Sequence, residues 1–453
     1  MSDELPTAAR VADPGIRALY KQENRWQAWL DVEVALARAQ AELGIIPKEA
    51  AEAIARSAQF DRLDRKRIDE GFARTGHTIV PLVWELARVV GEPHGGWVHW
   101  GATTQNITQT GDLLVLRQAH HIFLKLIADA LLAAADLAER GADMPIPGRT
   151  HGQHAVPATF GYKPAVWIDE LIRHVERFRQ AAPRIFVAML GGGAGTFASL
   201  GQQGPAVQAG MGRHLRMPPM TIPSRALGDH LAENICLLGM LAATCAKIGR
   251  EIYTLMKTEF GEVEEPVPPG TVGSSTMPQK RNPKLCQDII AAAAEVRSCV
   301  PVALEAMQSE HEADRTTSVM MDAAEARACI ATGDMLSRLV EVLRGLRLDP
   351  ERMRQNLDLG GGLIMAEAVM LNLGQTIGRQ HAHDVVYDAA QAAFVEGKSF
   401  GMLLAADPRV TAHLSVQQIE ALLDPAGYTG LCAEMARDAA ARARTLAGEI
   451  SDA

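Results

Sequence analysis

The chain has 453 residues, 47% hydrophobic, 22% charged and 5% aromatic, with a formal net charge of −9. That supplies apolar material for a large core, spread over two or three domains or one long architecture. The acidic balance and the lack of a Lys/Arg-rich block argue against nucleic acid or a membrane surface as the main partner, although a local cationic pocket remains open.

Met1–Pro14 mixes acidic and polar residues without an apolar stretch, so no secretory signal is expected. Trp26, Trp29, Leu30, Val32, Ala35, Leu36, Ala39 and Leu43 recur at three- and four-residue spacing and predict an amphipathic helix. Pro47 marks the start of the next helix. Strand-type alternation is scarce, and short helices and loops are expected as far as Gly101. Five long runs follow: Asp112–Arg140, Pro164–Arg179, Leu227–Phe260, Pro283–Glu312 (interrupted at Pro301) and Asp322–Arg347. Runs of this length, rich in Ala and Leu, predict long helices that bury a shared stripe in a bundle. Asp349-Pro350 reads as a break and a new helix start, and shorter helices follow, with a turn at Asp424-Pro-Ala-Gly427. The expected fold is all-α in three parts: 1–101, a long-helix bundle at 102–348, and 349–453. No window is expected to be long and apolar enough for a membrane span. The six cysteines form no Cys-x-x-Cys pair and read as reduced, buried thiols of a cytoplasmic protein.

Three polar segments between these runs concentrate chemistry. In the first, Thr103, Thr104, Gln105 and Asn106 stand before a helix start, where hydroxyls, amides and free N–H groups suit a carboxylate; helix capping explains the same residues. The second, Gly148-Arg-Thr-His-Gly-Gln-His154, places a cation, a hydroxyl and two imidazoles close together. Histidine is the side chain suited to proton transfer near neutrality. His151 and His154 lack a third ligand at the usual spacing, so no metal is expected. The third, Pro266–Pro283, surrounds Ser274 and Ser275 with Gly and Pro and ends in Lys280, Arg281 and Asn282. Its composition predicts a mobile loop able to close over a substrate. The Gly191–Thr196 run lacks the Gly-Lys-Ser/Thr ending of a phosphate loop, and His311-Glu312 lacks the second histidine of a zinc-protease helix.

Gly273-Ser-Ser-Thr-Met-Pro-Gln-Lys-Arg-Asn-Pro283 resembles the signature loop of the fumarase/aspartase superfamily. Gly148–Gly152 resembles its second conserved region and Thr103–Gln105 its first. The resemblance implies a fold of three helical domains whose central long-helix bundle forms a tetrameric core. It also implies active sites assembled from three chains, and chemistry without metal or organic cofactor. Ser274 would be the base, with Ser275 the alternative. His151, with His77, would protonate or orient the leaving group. Thr103, Thr104, Gln105, Arg149, Thr150, Gln153, Met277, Lys280, Asn282 and Arg315 would bind substrate.

Within the superfamily, Met353–Leu359, Ala366–Ala368, Leu423–Tyr428 and Gly261–Pro266 are similar to 3-carboxy-cis,cis-muconate cycloisomerases. Glu23–Leu30, Gly148–Ala155, His77 and His151 are similar to adenylosuccinate lyases. Asp314–Asp322 lacks the Ser-rich and Glu-Arg pattern with which the purine enzymes hold a nucleotide phosphate. The resemblance therefore implies β-elimination from a small substituted succinate, by C–N or C–O cleavage, with release of fumarate. The alternatives are lactonising cycloisomerisation, adenylosuccinate cleavage, or a catalytically silent structural relative like the lens crystallins. The partner is a small dicarboxylate or tricarboxylate.

Overall fold

The computed structural model describes residues 5, 7–267 and 274–452. Helix accounts for 69% of the protein and strand for 4%, so the fold is all-α as expected. The five long runs are the helices Thr104–Arg140, Tyr162–Ile185, Asp229–Leu255, Lys284–Glu305 and Arg315–Gly345. Three begin earlier than the residues predicted, Tyr162 by only two positions. Thr104 and Gln105 lie inside a first helical turn rather than before one, and Arg315 opens the last long helix. The Lys284–Glu305 helix continues through Pro301.

The described residues cluster into two compact units. The first comprises Met1–Lys125, His174–Cys245 and Ala291–Ser337; the second comprises Leu126–Arg173, Ala246–Ile290 and Arg338–Ala453. In the first unit the helix Gln22–Glu42 buries Trp26, Trp29, Leu30, Val32, Ala35, Leu36 and Ala39, the predicted stripe, while Leu43 sits past its end. Against it lies Gly204–Leu215, where a Cβ on Gly210 would stand 2.8 Å from the Ala39 Cβ. Close approach explains the glycine.

In the second unit the last turns of Thr104–Arg140 bury Ala130, Ala133, Ala134, Ala135 and Ala138. Small side chains allow such dense packing. Asp349 accepts from the Arg352 N–H at 2.9 Å and caps Pro350–Leu357, the predicted new start. The shorter C-terminal helices enclose Val369, Leu373, Phe400, Leu404 and Ile419 in their own core.

Two expectations are corrected. The segment Gly148–His154 is not a loop between helices but most of an antiparallel hairpin, β1 (Pro145–Thr150) and β2 (Gln153–Thr159), with a bulge between Pro147 and Arg149. Its prolines and Gly148 break the apolar alternation that would have announced strands. The helix Asp229–Leu255 is, against expectation, long and apolar enough to cross a membrane, with a window of mean hydropathy 1.5. Since 67% of that window is buried inside the protein, it serves here as a core helix. All six cysteines are free, and five are buried.

Candidate active site

In the first unit a pocket of about 410 Å³ collects four of the predicted residues: His77, Thr104, Gln105 and Arg315. His77 follows the left-handed Gly76, which ends the helix Arg65–Thr75. Its Nδ1 faces the Ile79 and Val80 N–H groups, both at 3.4 Å, at the start of the helix Val80–Val90. Accepting there puts the ring proton on Nε2, free to meet a ligand. Thr104, Gln105 and Thr108 present the first turn of Thr104–Arg140 to the pocket, where unpaired N–H groups favour an anion. Thr103 does not line it. Its N–H donates to the Asn106 Oδ1 at 3.1 Å, and so does the Gly192 N–H at 3.1 Å.

The glycine run therefore has a structural use. A Cβ on Gly191 would meet the Pro223 carbonyl oxygen at 2.7 Å, so the chain can fold tightly there only without a side chain. The Gly193 carbonyl accepts from Arg225 Nη1 at 2.7 Å. Arg225 lines the pocket and was missed by the sequence reading, because nothing near it in the chain marks it. Among the described residues no carboxylate pairs with Arg225 or with Arg315.

The pocket also has an acidic side, built from Asp112, Asp322 and Glu325. Arg25 grips Asp112 with two bonds, at 3.0 and 2.8 Å, and Trp29 Nε1 donates to it at 3.0 Å. The Tyr20 hydroxyl donates to Glu325 at 3.3 Å. Burial, and then the charges of Asp112 and Asp322, push the Glu325 carboxyl up to about 8. Asp322 is more open to solvent, and burial and Asp112 raise it only to about 6.

The remaining predicted residues lie in the second unit, in two sets. At the hairpin tip, Thr150 pairs with Gln153 across His151-Gly152, with φ of +53° and +78°. Two left-handed residues in a two-residue loop make a type I′ turn. Holding a histidine there costs roughly 1–2 kcal/mol. Thr150, His151 and Gln153 are all exposed. Arg149 instead turns to the scaffold and clasps Glu262 at 2.6 and 3.0 Å. Burial, and then the Arg149 charge, lower the His154 pKa.

The third set is the signature segment. Its residues 268–273, Gly273 among them, lie outside the described residues. Beyond them, Ser274 Oγ accepts from the Thr276 and Met277 N–H groups at 3.3 and 3.1 Å. Two donors aimed at one hydroxyl oxygen favour its anionic form. Ser275, Met277 and Lys280 are exposed, and Asn282 is half-buried. The segment is tied down where it ends. Arg281 pairs with Glu264 at 2.8 Å, and buried Glu265 accepts from the Leu285 and Cys286 N–H groups, both at 3.0 Å. No group of His, Cys, Asp or Glu suited to a metal ion occurs among the described residues.

The lyase family profile matches residues 8–298, more than half of the chain, and that of the adenylosuccinate lyase C-terminus matches 362–439. The chain belongs to the fumarase/aspartase superfamily of lyases. It is 36% identical to an N-acetyl-S-(2-succino)cysteine lyase of Dickeya dadantii (strain 3937), covering 94% of each chain. It is 38% identical to a 3-carboxy-cis,cis-muconate cycloisomerase of Pseudomonas aeruginosa, covering 95% of this chain and 94% of the relative. The crystal structure of a fumarate lyase from Mesorhizobium sp. BNC1 superposes with a TM-score of 0.89 at 35% identity, covering 95% of this chain and 98% of that one. Near-equal identity to enzymes of different reactions means that overall similarity does not choose among them.

The raised Glu325 carboxyl makes the stability of this superfamily lyase depend on pH. The folded protein keeps the Glu325 proton up to about 8, whereas the unfolded chain releases it near the ordinary value of 4.5. The stabilisation is complete below the unfolded value and is lost as pH rises through the folded one. Urea unfolding should show the wild type losing roughly 3 kcal/mol more than Glu325→Gln between pH 5.5 and 8.5. Equal slopes for the two proteins would contradict this.

Proposed function

We propose that this lyase cleaves a substituted succinate by β-elimination and releases fumarate. The observation that carries the reading is the pocket that gathers His77, Thr104 and Gln105 with two arginines, Arg225 and Arg315, that have no carboxylate partner among the described residues. A cavity so lined suits a ligand with more than one carboxylate. Ser274 takes the proton beside a carboxylate, and the bond to the leaving heteroatom then breaks. Thr104, Thr150 and Gln153 bind the carboxylates, while Met277, Lys280 and Asn282 close over the enediolate and stabilise its charge. His151, with His77, hands a proton to the leaving group. In this reading the three sets of residues meet when chains assemble into a homotetramer, which works in the cytoplasm. The Dickeya relative, named for a succinylated thiol, adds sulfur to nitrogen and oxygen as leaving atoms.

A second reading, lactonisation of 3-carboxymuconate, has support of the same kind in the 38% identity to the Pseudomonas cycloisomerase. The test is a panel of N-, O- and S-linked succinates assayed for fumarate. At least one member should be turned over; fumarate from none of them defeats the elimination reading.

A further inference from the structure

Arg225 sits at the end of a hydrogen-bond chain that runs from Gln105 out of the Thr103–Gln105 segment to residues that no sequence motif singles out. Its Nε–H donates to the Gln105 Oε1 at 3.2 Å. The Gln105 Nε2 donates to the Arg225 carbonyl and to the Gln109 Oε1, both at 2.9 Å. The Gln109 Nε2 then stands 3.2 Å from the His230 Nε2. An arginine can only donate, so each orientation follows from the one before it. Gln105 must turn its oxygen to Arg225 and its nitrogen to Gln109. Gln109 must turn its oxygen to Gln105 and its nitrogen to His230. His230 Nε2 must therefore accept, which fixes the neutral ring with its proton on Nδ1.

The surroundings agree with a neutral ring. His230 is 4% exposed, and its Nδ1 has no hydrogen-bond partner, with Asp229 no nearer than 4.0 Å. Burial lowers its pKa, against the smaller pull of Asp229 and Glu233. A buried, unsatisfied N–H is costly to keep, and the other side of the same ring is the acceptor that closes the chain. At the far end, Arg225 is partly desolvated and, among the described residues, held only by neutral acceptors, Gln105 Oε1 and the Gly193 carbonyl. A guanidinium on a pocket wall without a carboxylate beside it is available to an anion.

We propose that Arg225 binds a carboxylate of the substrate and that His230, acting through Gln109 and Gln105, is the positioning residue that holds its guanidinium in place. This rests on the reading of the pocket as the substrate site. It does not depend on which bond the enzyme breaks. Were Gln109 to lose its acceptor at His230, both amides could flip, bringing an N–H of Gln105 against the N–H of Arg225.

The experiment is calorimetric binding of succinate to the full-length enzyme, a readout that needs no turnover. Failure of the elimination reading would show in the fumarate panel and leave this measurement standing. Wild type should bind. Arg225→Gln should weaken binding by about tenfold or more, the scale of a charge-assisted hydrogen bond. His230→Leu, which offers Gln109 no acceptor, should weaken it severalfold, and His230→Gln, which does, should restore it to within about twofold. A purely structural His230 would not distinguish the two. The proposal is overturned if wild type does not bind succinate, if Arg225→Gln binds as wild type does, or if His230→Gln loses as much as His230→Leu. Unfolding curves on all four variants separate misfolding from lost affinity, and the fourth, Arg225→Lys, which keeps charge but not the fork, should fall between wild type and Arg225→Gln.

Discussion

Replacing Ser274 with alanine lowers turnover by at least about 10³-fold and leaves the fold intact, as expected for the loss of an activated base. The Ser274 hydroxyl oxygen receives the Thr276 and Met277 N–H groups, so a negative charge forming there meets two aligned dipoles. A serine alkoxide is otherwise too unstable in water to act as base at neutral pH. Ser275 is more exposed and has no such donors among the described residues. Ser275→Ala should therefore retain most of the activity, and thermal unfolding of both variants should stay near wild type, since Ser274 lies at the surface of its unit. If Ser275→Ala is the variant that loses turnover, the base is the second serine.

The second large effect falls on stability. Arg149→Leu should cost about 3–5 kcal/mol, because it strands a buried carboxylate. Glu262 is 0% exposed, and it receives Asn356 Nδ2 at 2.8 Å in addition to the two Arg149 bonds. The guanidinium also lies 4.9 Å from the Phe260 ring centre. Denaturant unfolding measures the loss. Arg149→Leu combined with Glu262→Leu should recover much of it, since removing both charges relieves the desolvation penalty. A loss below about 1 kcal/mol, with a large rise in KM, would instead make Arg149 the substrate ligand implied by its neighbours Thr150 and His151.

Much of this molecule was legible from one dimension. Helical periodicity located the long helices and the Trp26–Ala39 stripe, and Pro47 and Asp349 marked helix starts, because those signals are local. The signature segment pointed to Ser274, whose hydroxyl oxygen receives two backbone N–H groups. Partners brought together by folding were not legible. Arg149 and Glu262 are 113 residues apart, and Arg225 and Gln105 are 120 apart, so neither pairing leaves a trace in spacing. Arg149 consequently read as a ligand for substrate with no sign of its pairing with Glu262, and Arg225 went unnoticed. The hairpin was missed for a different reason. Its turn needs positive φ at His151, a residue that does not advertise it, and its strands carry prolines. Nothing local in the sequence marks Glu325; only burial beside Asp112 and Asp322 makes it hold its proton.

The superfamily permits both elimination and cycloisomerisation, so the decisive measurement is a direct comparison on one preparation: kcat/KM for the best substituted succinate, followed by fumarate release, against kcat/KM for 3-carboxymuconate, followed by lactone formation. The elimination reading predicts a ratio well above one, and both activities lost together in Ser274→Ala. Rapid lactone formation with no fumarate from any succinate would contradict it.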